Sequence, residues 1–191
     1  MQPAMKPAEL DLFEKLLSRA TRYVESGCGG TTVRALEANV TSIDCVETDV
    51  AWIERLRERP DIAQAVEKGR LRFHQRDVGE VIQWGIPVDH SKLRNWPYYS
   101  LGFWREIEEA PDFVFVDGRF RVATTIAALV YAAPDASVML HDFAGRDHYE
   151  AVLALGDVTH RIDTAIVLRR KKGLTDADLM LEWSHFMFDA R

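Results

Sequence analysis

Five acidic residues stand where short apolar runs end. Glu25 follows Tyr23-Val24, Glu47 follows Cys45-Val46, and Asp77 lies just beyond Leu71–His74. Asp117 closes Phe113–Val116, and Asp142 follows Leu140-His141. If these runs are parallel strands, their carboxyl ends share one edge, and open α/β sheets bind ligands at that edge. Acids gathered in a cleft repel one another, so a cationic or hydroxyl-rich ligand would relieve them. Any one of them also suits the start of a helix, where the dipole favours a carboxylate. All five together favour a site.

The first of these runs leads into Glu25-Ser26-Gly27-Cys28-Gly29-Gly30-Thr31-Thr32. Glycines permit a tight strand-to-helix turn and let a ligand approach the backbone closely. A dinucleotide-binding G-x-G-x-x-G would put its third glycine where Thr32 stands. Glu47 lies about twenty residues after Gly27, the offset of an acid that accepts hydrogen bonds from ribose hydroxyls. That offset serves any adenosine cofactor. Glu25 discriminates further, because a carboxylate beside the loop disfavours a pyrophosphate and favours a cationic ligand.

The elements that must carry these residues alternate. Pro7 suits a first helical position, and Leu10, Phe13, Leu16 and Leu17 recur at helical spacing. Apolar runs at Tyr23-Val24, Ile43–Val46, Leu71–His74, Phe113–Val116, Val138–Leu140 and Ala165–Leu168 read as strands. Val50–Arg59, Val122–Ala132 and Thr175–Phe188 read as helices. Unalternating strands are buried on both faces, so the pattern predicts a doubly wound α/β sheet with helices on both faces. The stretch from Ile82 to Ala110 fits no element. It holds Trp84, Trp96, Tyr98, Tyr99, Phe103 and Trp104. Two readings stay open for it: aromatics packing an insertion onto the sheet, or a lid over the acceptor pocket with Trp96, Tyr98, Tyr99 and Trp104 as flat apolar surface.

The chain has 191 residues, which suits one domain over 1–191 with that insertion at about 82–110. Lys and Arg total 24 against 30 for Asp and Glu, a net charge of −6 that argues against nucleic acid as partner. No apolar run is long enough for a bilayer, and Met1–Lys6 has no signal-like core, so a cytoplasmic location and no membrane partner are expected. Cys28 and Cys45 read as reduced thiols. A nucleophile elbow at Cys28 would want glycine where Ser26 stands. No histidine pair has zinc-site spacing.

At these residues the chain resembles the class I S-adenosylmethionine-dependent methyltransferases, and within them a bacterial methyltransferase-like group. Val24-Glu25-Ser26-Gly27-Cys28-Gly29 is similar to their first motif, Val46-Glu47 to the end of their second strand, and Arg76-Asp77-Val78 to the acid that receives the adenine amino group. Asp112–Arg121 and Leu140-His141-Asp142-Phe143 extend the likeness. The resemblance implies a mostly parallel, seven-stranded Rossmann-like sheet with a reversed final strand. It implies S-adenosylmethionine as cofactor, bound by Glu25, Gly27, Cys28, Gly29, Glu47, Asp77, Val78 and Asp117. Methyl transfer to a small-molecule acceptor would then proceed by in-line displacement, with Asp117, His141 and Asp142 as the catalytic candidates.

Some O-methyltransferases of this fold hold magnesium with acids at similar strand ends. Here no clear third oxygen ligand accompanies Asp117 and Asp142, Asp147 being the nearest option, so no metal is assigned. Positioning, with His141 or Asp117 as base, is the reading kept. Arg119 and Arg121 either pair with the acids or bind an anionic substrate. Two alternatives stand beside the enzyme: a non-catalytic member of the fold that binds a nucleoside ligand or partner, and a nicotinamide-dependent oxidoreductase. Thr32, Glu25 and the lack of a Y-x-x-x-K pair weigh against the latter. A homodimer is compatible with the sequence.

Overall fold

The computed structural model describes residues 1–38 and 40–191. Seven strands form one sheet in the order β3-β2-β1-β6-β7-β9-β8. These are β1 (Arg22–Ser26), β2 (Ser42–Glu47), β3 (Leu71–Gln75), β6 (Phe113–Val116), β7 (Ser137–Leu140), β8 (Gly156–Ile162) and β9 (Ala165–Arg170). Strands β3, β2, β1, β6 and β7 run parallel, while β9 is antiparallel to both β7 and β8. The mostly parallel sheet with a reversed final strand is thus present. Its parallel members are short and apolar because both faces are covered: all four residues of β6 are buried.

One face is covered by α1 (Pro7–Leu17), α2 (Gly30–Glu37), α3 (Val50–Arg57) and α4 (Pro60–Glu67). Phe13 of α1 sets the packing there, its ring centroid 5.1 Å from Phe115 and 5.6 Å from Phe113. The other face is covered by α6 (Arg121–Tyr131), α7 (Asp176–Phe186) and the insertion. Helix α6 is buried from Arg121 to Leu129, as expected of a helix sandwiched between sheet and α7.

The insertion belongs to the core. It begins with a two-stranded ribbon, β4 (Val81–Ile82) and β5 (Ile86–Pro87), and continues through single helical turns that include α5 (Pro97–Ser100). Trp96, Tyr99, Phe103 and Trp104 are all buried. Trp104 stacks on Tyr131 of α6, and the Trp96 indole donates to the Val78 carbonyl over 2.9 Å. Of the four rings expected to face an acceptor, only Tyr98 is exposed. The packing reading is therefore correct for Trp96, Tyr99 and Trp104. Their rings pack in one core cluster with the strand residues of this face and with α6 and α7.

Candidate active site

Strand order reverses between β1 and β6, and the loops after these two strands meet there. The Gly27 and Asp117 amides donate to the Val46 and Ser26 carbonyls, each over 3.0 Å. Gly27 has φ +83°, and a Cβ built on it would lie 2.9 Å from the Gly118 backbone. A side chain at this position would meet both penalties, so glycine is required for the crevice to close.

Glu25 lies inside β1 and is fully buried. Its carboxyl accepts from the Tyr23 hydroxyl over 2.8 Å and from the Thr32 hydroxyl, while the Cys45 Sγ stands 3.0 Å away. Thr32 in turn accepts from the Gly29 amide over 2.8 Å. Burial pushes the Glu25 carboxyl pKa up, favouring its neutral form. The expected place of Glu25 at the ligand-facing edge is corrected accordingly. It fastens the glycine loop from below, and Thr32, at the position of a dinucleotide fingerprint's third glycine, is the link.

Glu47 ends β2 at the crevice. Its carboxylate accepts from the Thr48 amide over 2.6 Å, the Asp49 amide over 3.1 Å and the Cys28 amide over 3.3 Å. The Trp52 indole holds the Cys28 carbonyl at 2.7 Å, and Asp49 caps α3. Burial pushes the Cys28 thiol pKa up, with Glu47 adding to the effect, which disfavours a nucleophilic thiolate. Above Glu47 passes the turn of the β4–β5 ribbon. A Cβ on Gly85 would lie 2.5 Å from Thr48 Oγ1 and 3.8 Å from both Glu47 Oε1 and Arg119 Cγ.

Asp77 lies two residues past β3, paired with Lys92 and accepting from the Gly79 amide over 3.1 Å. Lys92, followed by that amide, pulls its carboxyl pKa down. Val78 beside it is buried. An open cavity of about 600 Å³ adjoins Asp77, with Arg76, Asn95, Tyr98 and Glu106 in its wall.

Asp117, His141 and Asp142 come together, with one ligand atom from each lying within 4.8 Å of the others. His141 Nδ1 is 2.9 Å from Asp117 Oδ1, and its Nε2 is 3.3 Å from Glu9 Oε2. Burial opposes a charge on the ring, but the carboxylates of Asp117, Asp142 and Glu9 outweigh it and raise the pKa. Both ring nitrogens of His141 are thus engaged by carboxylates, which fixes the ring beside Asp117 and favours its charged form.

Glu9, from α1, is 1% exposed and accepts from the Thr164 amide at 2.7 Å, the Thr164 hydroxyl at 2.6 Å and the Lys6 amide at 2.9 Å. Burial raises its pKa, but these hydrogen bonds prevail and hold it at about 2. Sequence reasoning missed Glu9. The signal was its spacing: Glu9, Phe13 and Leu17 form one buried stripe of α1, in which an acid continues an apolar face.

The cluster does not fit magnesium. The Arg121 guanidinium lies 3.0 Å from Asp117 and 3.5 Å from Asp142, and Arg146 lies 2.9 Å from Asp142. Both acids are already answered by cations, the third group is a nitrogen ligand, and Asp147 is outside the cluster.

No protein-family model and no curated protein matches this chain. Solved structures do. The sheet order, the reversed strand and the glycine loop at the switch point define the fold of the class I S-adenosylmethionine-dependent methyltransferases. The chain superposes on a methyltransferase-like protein from Silicibacter pomeroyi with a TM-score of 0.84 at 26% identity, covering 98% of this chain and 97% of that one. An O-methyltransferase from Bacillus cereus in complex with S-adenosylhomocysteine matches with a TM-score of 0.57 at 14% identity, over 88% and 84% of the two chains. An O-methyltransferase from Streptomyces achromogenes in complex with S-adenosylmethionine gives 0.55 at 14%, over 88% and 82%. The chain thus has a methyltransferase fold. Among the described residues no helix is long and apolar enough to cross a membrane.

Proposed function

We propose that the protein is an S-adenosylmethionine-dependent methyltransferase acting on a small-molecule acceptor. The observation that carries this reading is Glu47. Its carboxylate stands at the switch-point crevice beside the Cys28 amide, where a ribose laid over the glycine loop would meet it. Glu47 accepts both ribose hydroxyls, Asp77 with Val78 borders the adenine, and the methionine part lies along Gly27–Gly29 towards Asp117. When bound, the cofactor supplies a methyl group already activated by its sulfonium. The chain's own residues supply position: Asp117, aligned by His141 and Arg121, and Asp142, held by Arg146, face the place where an acceptor must stand in line. Asp117 is the residue placed to take the acceptor's proton.

Titration with S-adenosylhomocysteine and with NAD tests this. Trp84 is 74% exposed and adjoins Gly85, the residue over Glu47, whereas Trp96, Trp104 and Trp183 are buried. S-adenosylhomocysteine should change tryptophan emission, the change should shrink in Trp84→Phe and disappear when Trp52, whose indole holds the Cys28 carbonyl of the glycine loop, is replaced as well, and NAD should have no effect. A response to NAD and none to S-adenosylhomocysteine would favour the oxidoreductase.

A further inference from the structure

Arg119 follows Gly118 at the crevice, and its guanidinium has neither an ion pair nor a hydrogen bond among the described residues. Among the described residues, every other buried or half-buried arginine has an acidic or carbonyl partner. Arg72 is held by Asp44, Arg76 by Glu106, Arg121 by Asp117, Arg146 by Asp142 and Arg70 by backbone carbonyls. Arg119 Nε is shut off from solvent and unbonded. The side chain is half-buried, and the other charged groups facing it are Arg121, which repels it, and Asp117, which is already shared between Arg121 and His141. The Tyr99 hydroxyl is committed to the Arg119 backbone amide, 3.2 Å away.

Half-burying a guanidinium without a partner costs free energy, and in a chain with 30 acids a protein partner was available to selection. A cation kept open at a ligand edge is explained by an anion that arrives with the ligand. The planar fork of arginine suits a carboxylate or phosphate, two oxygens at a time.

We propose that Arg119 is the receptor for a ligand carboxylate or phosphate at this edge. Two ligands of the proposed reaction can bring one: the cofactor, through the carboxylate of its amino-acid end, or an acidic acceptor. The proposal deepens the methyltransferase reading and rests on it for the identity of those ligands, but the anion itself can be probed alone.

The experiment compares wild type, Arg119→Gln, Arg119→Lys and, as control, Arg169→Gln at an exposed position of β9. Three probes are used: inorganic phosphate in thermal shift, and S-adenosylhomocysteine and 5′-methylthioadenosine in calorimetry. The last has the same nucleoside and thioether but no carboxylate. Phosphate should raise the melting temperature of wild type and of Arg169→Gln, and this rise should be lost in Arg119→Gln and kept in part by Arg119→Lys. If S-adenosylhomocysteine also weakens about tenfold or more in Arg119→Gln while 5′-methylthioadenosine is unchanged, the anion is the cofactor's. If both nucleosides bind as before and only the phosphate response is lost, the anion belongs to the acceptor. A phosphate response and S-adenosylhomocysteine affinity both unaltered in Arg119→Gln would overturn the proposal, as would equal weakening of the two nucleosides. Should wild type bind neither nucleoside, the methyltransferase reading fails, and the phosphate comparison still judges Arg119. Should Arg119→Gln not fold, Arg119→Lys decides by the ratio of the two nucleoside affinities: a selective loss for S-adenosylhomocysteine supports the proposal, and an unchanged ratio with an undiminished phosphate response contradicts it.

Discussion

Glu47→Ala should weaken S-adenosylhomocysteine binding by about 1.5–3 kcal/mol, the worth of hydrogen bonds to a charged group. Calorimetry reads this directly. The loss would have two sources. The ribose hydroxyls lose their acceptor, and the Cys28, Thr48 and Asp49 amides lose the carboxylate that draws the glycine loop and the start of α3 together. Glu47→Gln separates them, because an amide oxygen can still accept from the loop but carries no charge. Its loss should therefore be smaller. Affinity unchanged in Glu47→Ala would remove the ribose from this residue.

Glu9→Ala should cost the fold about 3–5 kcal/mol in urea denaturation at neutral pH. The substitution removes one of the two carboxylates that engage the buried His141 ring, and it leaves the Thr164 amide and hydroxyl and the Lys6 amide without their acceptor. The signs of the pH dependence differ for the two groups. The Glu9 carboxyl is depressed from 4.5 to about 2, so its contribution is complete above the ordinary value and fades as pH falls from there towards 2. The His141 pKa is raised above its ordinary 6.5, so its contribution is complete below that value and fades as pH rises through the raised one. Glu9→Ala should therefore flatten the acid limb of the stability profile, and His141→Gln the alkaline limb. Equal stability of Glu9→Ala and wild type at pH 7 would mean that the pair contributes nothing.

What could be read from the sequence divides along physical lines. The parallel strands were legible because burial on both faces leaves unbroken apolar runs such as Phe113–Val116. Strand β8 was not, since it is the sheet's edge: five of its seven residues, Asp157 to Arg161, are exposed, and a bulge at Val158/His160 breaks its register. Helix α4 was not read, although Pro60 marks its first turn and Ile62 and Ala65 its buried side. The acids at strand ends gave the edge, but a sequence position does not say which way a side chain points. Glu25 and Asp117 both lie near carboxyl ends, yet Glu25 turns into the core while Asp117 stays at the crevice. Glu9 joins His141 across 132 positions of sequence, a pairing that only the docking of α1 beside β7 creates. The insertion's aromatics were ambiguous because packing a sheet face and lining a pocket demand the same residues.

The most direct measurement is a crystal structure of the protein soaked with S-adenosylhomocysteine. The account predicts the nucleoside at the β1–β6 switch point, both ribose hydroxyls on the Glu47 carboxylate, the adenine beside Asp77 and Val78, and the thioether sulfur directed towards Asp117. Density for the ligand away from the β1–β6 switch point, with Glu47 untouched, would contradict it.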